Sequence, residues 1–259
     1  MDLGIAGKNA LVCAASKGLG RACADSLAEA GVNVTICSRT EADIKAAAEA
    51  IGAAHGTTVK WLACDITTEE GRAGALELAG DVDILVNNAG GPPPGSFREW
   101  TRDDWIKAID SNMLTAIELI KATVDGMMER KFGRIVNITS AAVKSPISIL
   151  GLSNGARTGL TGFCAGIARD TVREGVTING LLPGPFDTDR LRGNIEVRAK
   201  AAGKTYDEMY EIAAADNPAG RFGTADEFGK TCAFLCSAHA GFINGQNVLM
   251  DGGAFRSSL

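Results

Sequence analysis

Seven short apolar runs, separated by helix-length segments from one end of the chain to the other, restrict its fold more than any other feature. They lie at residues 10–13, 32–37, 58–64, 84–86, 134–138, 176–181 and 247–250. A strand with one wet face alternates apolar and polar residues. These runs are apolar almost throughout, which suits strands covered on both faces, as in a parallel sheet. Between the runs, Ile106, Ile109, Met113, Ile117, Ile120, Val124 and Met127 recur in steps of three and four and make one apolar helix face. Asp103 and Asp104 stand near its start, where the helix dipole favours acids. Repeated strand–helix–strand units with right-handed crossovers predict an α/β, doubly wound architecture, with about seven parallel strands and helices on both faces. No linker or repeat breaks the rhythm, so residues 1–259 read as one domain. The Pro-rich stretch 90–95 reads as a stiff loop. Residues 187–217, the least patterned stretch and the one holding Tyr206 and Tyr210, read as a lid over a site.

Composition removes several function classes. Net charge is -5, and the densest basic spot is only Arg130, Lys131 and Arg134, which argues against nucleic acid or an anionic membrane as partner. No stretch reaches the roughly 18 apolar residues of a membrane span. The opening residues, MDLGIAGKNALVC, lack the basic and apolar regions of a secretory signal. Seven scattered cysteines without a CxxC pair suit a reducing compartment. The expected address is the cytoplasm. His55 and His239 are the only histidines, so a histidine metal site is not expected.

The first run leads straight into Cys13-Ala14-Ala15-Ser16-Lys17-Gly18-Leu19-Gly20, and a helical pattern follows. Glycines here let the backbone turn tightly and approach a pyrophosphate seated on the helix N-terminus, the mark of a Rossmann-type dinucleotide site. Asp65, with Ile66 after it, closes the third run, where its carboxylate could accept from an adenine amine. Asn87, Asn88, Ala89 and Gly90 turn abruptly off the fourth. All three features belong at the carboxyl ends of strands, where open α/β sheets bind ligands. An acidic residue ending the second strand would repel a 2′-phosphate; Ser38 and Arg39 stand there, with Lys17 in the glycine loop. NADP(H) is therefore favoured over NAD(H).

With these residues in order, the chain resembles the short-chain dehydrogenase/reductase family over essentially its whole length, and is similar to 3-oxoacyl-acyl-carrier-protein reductases. Gly18 and Gly20 match the family's Thr-Gly-x-x-x-Gly-x-Gly, while Cys13 and Ala14 depart from it. Asn88-Ala89-Gly90, Pro183-Gly184 with Thr188, and Asp251-Gly252-Gly253 match later landmarks. The resemblance implies that Ser16 to Gly20, Asn88 to Gly90, Pro183, Gly184, Phe186 and Thr188 hold cofactor. It also implies a homodimer or homotetramer and a small-molecule substrate.

The same resemblance exposes an altered centre. Family members carry a Ser and, thirteen residues on, Tyr-x-x-x-Lys. Ser140 matches the Ser and Asn112 a supporting Asn, but Ser153 and Arg157 stand where Tyr and Lys are expected. A serine hydroxyl is a far poorer acid than a phenol, and arginine cannot relay protons. Losing general acid catalysis costs about 10²–10⁴ in rate, less than proximity can supply, so the expectation is an NADPH-dependent reductase of a carbonyl or imine with altered proton delivery. Lys144, if partly desolvated beside Arg157, is the candidate donor; Tyr206 and Tyr210 follow. The competing readings are an inactive NADP-binding sensor or partner subunit, and a lyase or isomerase on the same fold.

Overall fold

The computed structural model describes residues 1–257. Strands β1 (Asn9–Cys13), β2 (Asn33–Ser38), β3 (Lys60–Ala63), β4 (Ile84–Asn87), β5 (Gly133–Ile138), β6 (Val176–Pro183) and β7 (Asn247–Met250) form one sheet in the order 3-2-1-4-5-6-7. Every pairing is parallel. Each strand falls where an apolar run placed it, and the doubly wound expectation holds.

The core explains the runs. Ala10 and Val12 of β1 enter one apolar cluster, and Leu11 and Cys13 enter the other, on the opposite face of the sheet. Alternation along the strand sends side chains to both faces, and both are covered. On the first face lie α1 (Gly18–Glu29) and α2 (Glu41–His55). On the second lies α3 (Glu69–Ala79). The apolar stripe 106–127 is not one uniform helix. It comprises α4 (Arg102–Ile109), a π-helical turn at Asp110–Leu114 and α5 (Thr115–Glu129), which joins the second face. Thr101 and Asp104 cap the start of α4 reciprocally. The π turn is stitched by Thr115 Oγ1 donating to the Asp110 carbonyl at 2.9 Å. It offsets the helix by one residue, a device common at functional sites.

Helix α6 (Gly151–Thr171) packs beside that turn through small residues. A Cβ at Gly151 would stand 2.3 Å from the Trp100 ring, one at Gly155 2.8 Å from Trp105, and one at Gly159 2.8 Å from Met113 Sδ. The glycines, four apart, fix one face of α6 against this wall. Ser153 and Arg157, also four apart, occupy another.

The segment read as a lid is helical: α7 (Asp189–Ala202) and α8 (Tyr206–Ala215) close a small cluster of Ile195, Ala199, Met209, Ala214 and Phe222. Only Ile195 and Ala199 of α7 are buried, a stripe too thin to show as periodicity. Helix α9 (Ala225–Cys236) returns to the first face of the sheet. Among the described residues no helix is long and apolar enough to cross a membrane.

Candidate functional site

The strand order reverses between β1 and β4, and the crevice at such a switch point opens at the carboxyl ends of the strands. Beyond Cys13 the chain turns through Ala14 at φ +49° and Gly18 at φ +61°. Lys17 precedes α1 without capping it by its side chain, so the first N–H groups of that helix keep their capacity for an anion. Gly20 is required by closeness: a Cβ there would meet the Ala14 carbonyl oxygen at 2.5 Å and Asn88 Nδ2 at 2.7 Å. Asn88 Nδ2 itself donates to that carbonyl at 3.4 Å, tying the turn after β4 to the glycine loop.

From this loop runs a cleft of about 820 Å³, lined in turn by Ser16 and Lys17, by Ser38 and Arg39, by Asp65 and Ile66, and by Ala89, Gly90 and Gly91. Its volume suits a large cofactor. The Ser38 hydroxyl is buried without a hydrogen-bond partner in the protein. Arg39 is exposed beside it, and Lys17 Nζ lies 3.4 Å from Asp43. Asp65 accepts from the Thr67 backbone N–H at 3.0 Å and its hydroxyl at 2.8 Å. The Thr67 N–H holds the carboxyl below its usual range against the opposing effect of burial, with help from the Thr67 hydroxyl and the charge of Arg39. An orphaned hydroxyl, a cation at the end of β2 and an ionised acid after β3 fit an adenosine bearing a 2′-phosphate.

The landmarks after β6 and β7 form one joint. A Cβ at Gly184 would stand 2.7 Å from the Asp251 backbone, and Asp251 in turn accepts from the N–H groups of Gly253 and Phe255. Phe186 turns its ring into the core against Phe228, with centroids 5.2 Å apart. Thr188 caps α7, accepting from Leu191 N–H at 3.4 Å.

At the far end the altered residues converge. Arg157 is partly buried and donates through Nη1 to the Thr139 carbonyl and through Nη2 to Asn112 Oδ1 at 3.3 Å. Asn112 reaches it from the π turn and donates to Ser111 Oγ at 2.8 Å. Between them lies a cavity of about 20 Å³, enough for one water. Burial, and then the charge of Arg190, hold Arg157 down to about 10, still cationic at neutral pH. Ser140 follows Thr139 and accepts from Ala142 N–H at 3.1 Å; Ser153 is buried one turn before Arg157. Lys144 does not join them. It is exposed, with Nζ 5.9 Å from the centre of the Phe255 ring, because it ends a short 3₁₀ turn and points outward. The partial desolvation expected of it is not found. Tyr206 and Tyr210 pack within the lid, and burial pushes the Tyr210 phenol up, away from useful acidity. Sequence reading missed Arg190, whose only signal was its place two residues after Thr188.

This combination defines a dinucleotide-binding α/β protein. The family model described as "Enoyl-(Acyl carrier protein) reductase" matches residues 13–254. The chain is 32% identical over 259 residues to 3-oxoacyl-[acyl-carrier-protein] reductase FabG of Vibrio cholerae, covering 98% of this chain and 99% of that one. Among solved structures, L-sorbose reductase of Gluconobacter frateurii, complexed with NADPH and L-sorbose, superposes with a TM-score of 0.94 at 27% identity, covering 99% of this chain and 100% of that one. YwfH, an NADPH-dependent reductase involved in bacilysin biosynthesis, gives 0.91 at 30% identity, over 97% of this chain and 100% of that one. The chain belongs to the short-chain dehydrogenase/reductase family.

Proposed function

We propose that this chain is an NADPH-dependent reductase of a carbonyl or imine that works without a catalytic phenol. The observation that carries the reading is the network of Asn112, Thr139 and Arg157 beside a nucleotide-sized cleft, formed with an arginine where the family's Lys is expected. The NADPH complex of L-sorbose reductase and the NADPH dependence of YwfH support the cofactor.

NADPH, when bound, supplies the hydride. Ser38, Arg39 and Lys17 would hold the 2′-phosphate, the α1 N-terminus would take the pyrophosphate, and Arg157 would anchor a ribose hydroxyl with one of the three N–H groups it does not spend on Thr139 and Asn112. Ser140 and Ser153 orient the substrate oxygen. The proton reaches that oxygen from water held by these hydroxyls rather than from Lys144, which stands in solvent. Lys144→Met then changes turnover by less than about threefold, whereas a fall of roughly 10²–10⁴ returns Lys144 to the role of acid. We also infer pairing of copies through α5 and α6 into a homodimer or homotetramer.

A panel of ketones, oxoacyl thioesters and imines tests the reading. NADPH is expected to bind more tightly than NADH and to be consumed with at least one member. A preference for NADH overturns the cofactor assignment. Tight NADPH binding without turnover overturns the reductase and favours a nucleotide sensor, the reading the missing phenol supports.

A further inference from the structure

Beside Gly91, which lines the cleft, two arginines bring together positive charge that hydride transfer to a neutral ketone does not require. Arg190, on the first turn of α7, carries its guanidinium over the backbone of Gly91. The Cβ position of Gly91 lies 3.1 Å from Arg190 Nη1, 3.3 Å from Arg190 Nη2 and 3.4 Å from Arg157 Nη2. Two guanidinium groups, one on the lid and one on α6, thus face the same small volume, and only a residue without a side chain leaves that volume open. Among the described residues no Asp or Glu lies within ion-pair distance of either arginine. The nearest acids of the lid, Asp187 and Asp189, are both engaged by Arg192. Arg157 uses Nη1 and Nη2 once each on the protein, which leaves N–H groups for a further acceptor. Arg190 is exposed and Arg157 partly buried; side by side their like charges repel, and an anion between them converts that repulsion into attraction.

We propose that Arg190 and Arg157, over Gly91, form a seat for a carboxylate of the substrate, so that the natural substrate is an oxo acid and not a neutral carbonyl compound. The proposal rests on the reductase reading, since it places the acid beside the reacting carbonyl. A pyrophosphate oxygen of the cofactor carries the same chemistry, but it has its own donors at the start of α1.

The test pairs 2-oxo, 3-oxo and 4-oxo carboxylates with their methyl esters. Each pair is measured by NADPH oxidation and by calorimetric titration into the NADP⁺-loaded protein, so that binding is read even where no turnover occurs. The wild type is expected to prefer at least one acid over its ester by about tenfold or more. In Arg190→Gln that preference falls about tenfold, Arg190→Lys retains part of it, and the NADPH dissociation constant moves by less than about threefold. A wild type that binds no acid better than its ester overturns the seat, even if the protein proves to be a reductase. Equal loss for acids and esters together with weakened NADPH binding also overturns it, and assigns Arg190 to the cofactor pyrophosphate. Failure of the wild type to bind NADPH at all instead defeats the reductase reading and leaves acid binding to be judged by calorimetry on the unloaded protein, where absence of any acid preference overturns the seat as well.

Discussion

Arg134 is buried and Arg157 partly buried, at opposite ends of the same part of the sheet, and the protein treats them differently. Arg134 opens β5 at its amino end. Its Nε donates to the Ser237 carbonyl at 2.9 Å and its Nη1 to Gly133 and Gly175 at 2.8 and 3.0 Å, while its guanidinium lies over the Phe132 ring. Three chain segments end on this one cation, whose charge is dispersed into carbonyl dipoles. Arg157, beyond the carboxyl end of β5, has one carbonyl and one amide oxygen, and a second guanidinium beside it where a carboxylate would be expected. A buried cation matched by the protein supports structure. One left short of acceptors beside a cleft is arranged for a ligand.

The contrast can be broken first at the other end of the cleft, where a third arginine is exposed and ligand-facing. Arg39→Asp removes the partner of the 2′-phosphate and adds a repelling charge, so NADPH affinity is expected to fall by about 10²-fold or more while NADH affinity holds or improves. Fluorescence titration with both nucleotides reads this directly, and equal loss for both would show that Arg39 is not a phosphate partner.

Arg134→Met comes next. It strands three carbonyls and is expected to cost about 3 kcal/mol of stability, a fall in Tm of roughly 6–12 °C, with NADPH affinity unaltered in the folded protein. Weakened NADPH binding at unchanged Tm would erase the distinction between the two arginines.

A smaller effect sharpens the comparison in the glycine loop. Ala14 adopts φ +49°, a left-handed conformation that penalises any Cβ. Ala14→Gly is expected to raise stability by about 1 kcal/mol, or roughly 2–4 °C in Tm, by differential scanning calorimetry. A loss of stability would mean that the departure from the family's glycine carries no strain.

These regions were not equally legible in the sequence. Strands could be read because both faces of the sheet are covered, so each one leaves a continuous apolar run. The adenosine half of the cleft was readable because its residues lie in short consecutive stretches: Ser16 to Gly20, Ser38 with Arg39, Asp65, and Asn88 to Gly90. The reactive half was readable only as positions. Ser153 and Arg157 keep a four-residue spacing that survives any change of side chain, and Asn112 could be placed by resemblance. The π turn that delivers Asn112 left no signal, because an apolar stripe in steps of three and four looks the same on either side of one extra residue. Lys144 was misjudged for a similar reason: its distance in sequence from Ser140 says nothing of which way a 3₁₀ turn points it. Arg190 escaped notice because its meaning lies in Gly91 and Arg157, which only the folded chain brings together.

The most direct measurement of what Arg157 does is the NADPH dissociation constant and the Tm of Arg157→Met beside the wild type. Burial lowers the folded-state pKa of Arg157 below its unfolded value, so its charge costs stability at neutral pH, and that cost is relieved only as pH rises past about 10. The variant is therefore expected to lose less stability than Arg134→Met, while binding NADPH about 10- to 150-fold more weakly through the loss of charge-assisted hydrogen bonds. Wild-type affinity should be flat between about pH 7 and 9 and fall as pH climbs past about 10. A variant that binds NADPH as tightly as the wild type but unfolds several degrees lower would contradict this, and would make Arg157 a second Arg134.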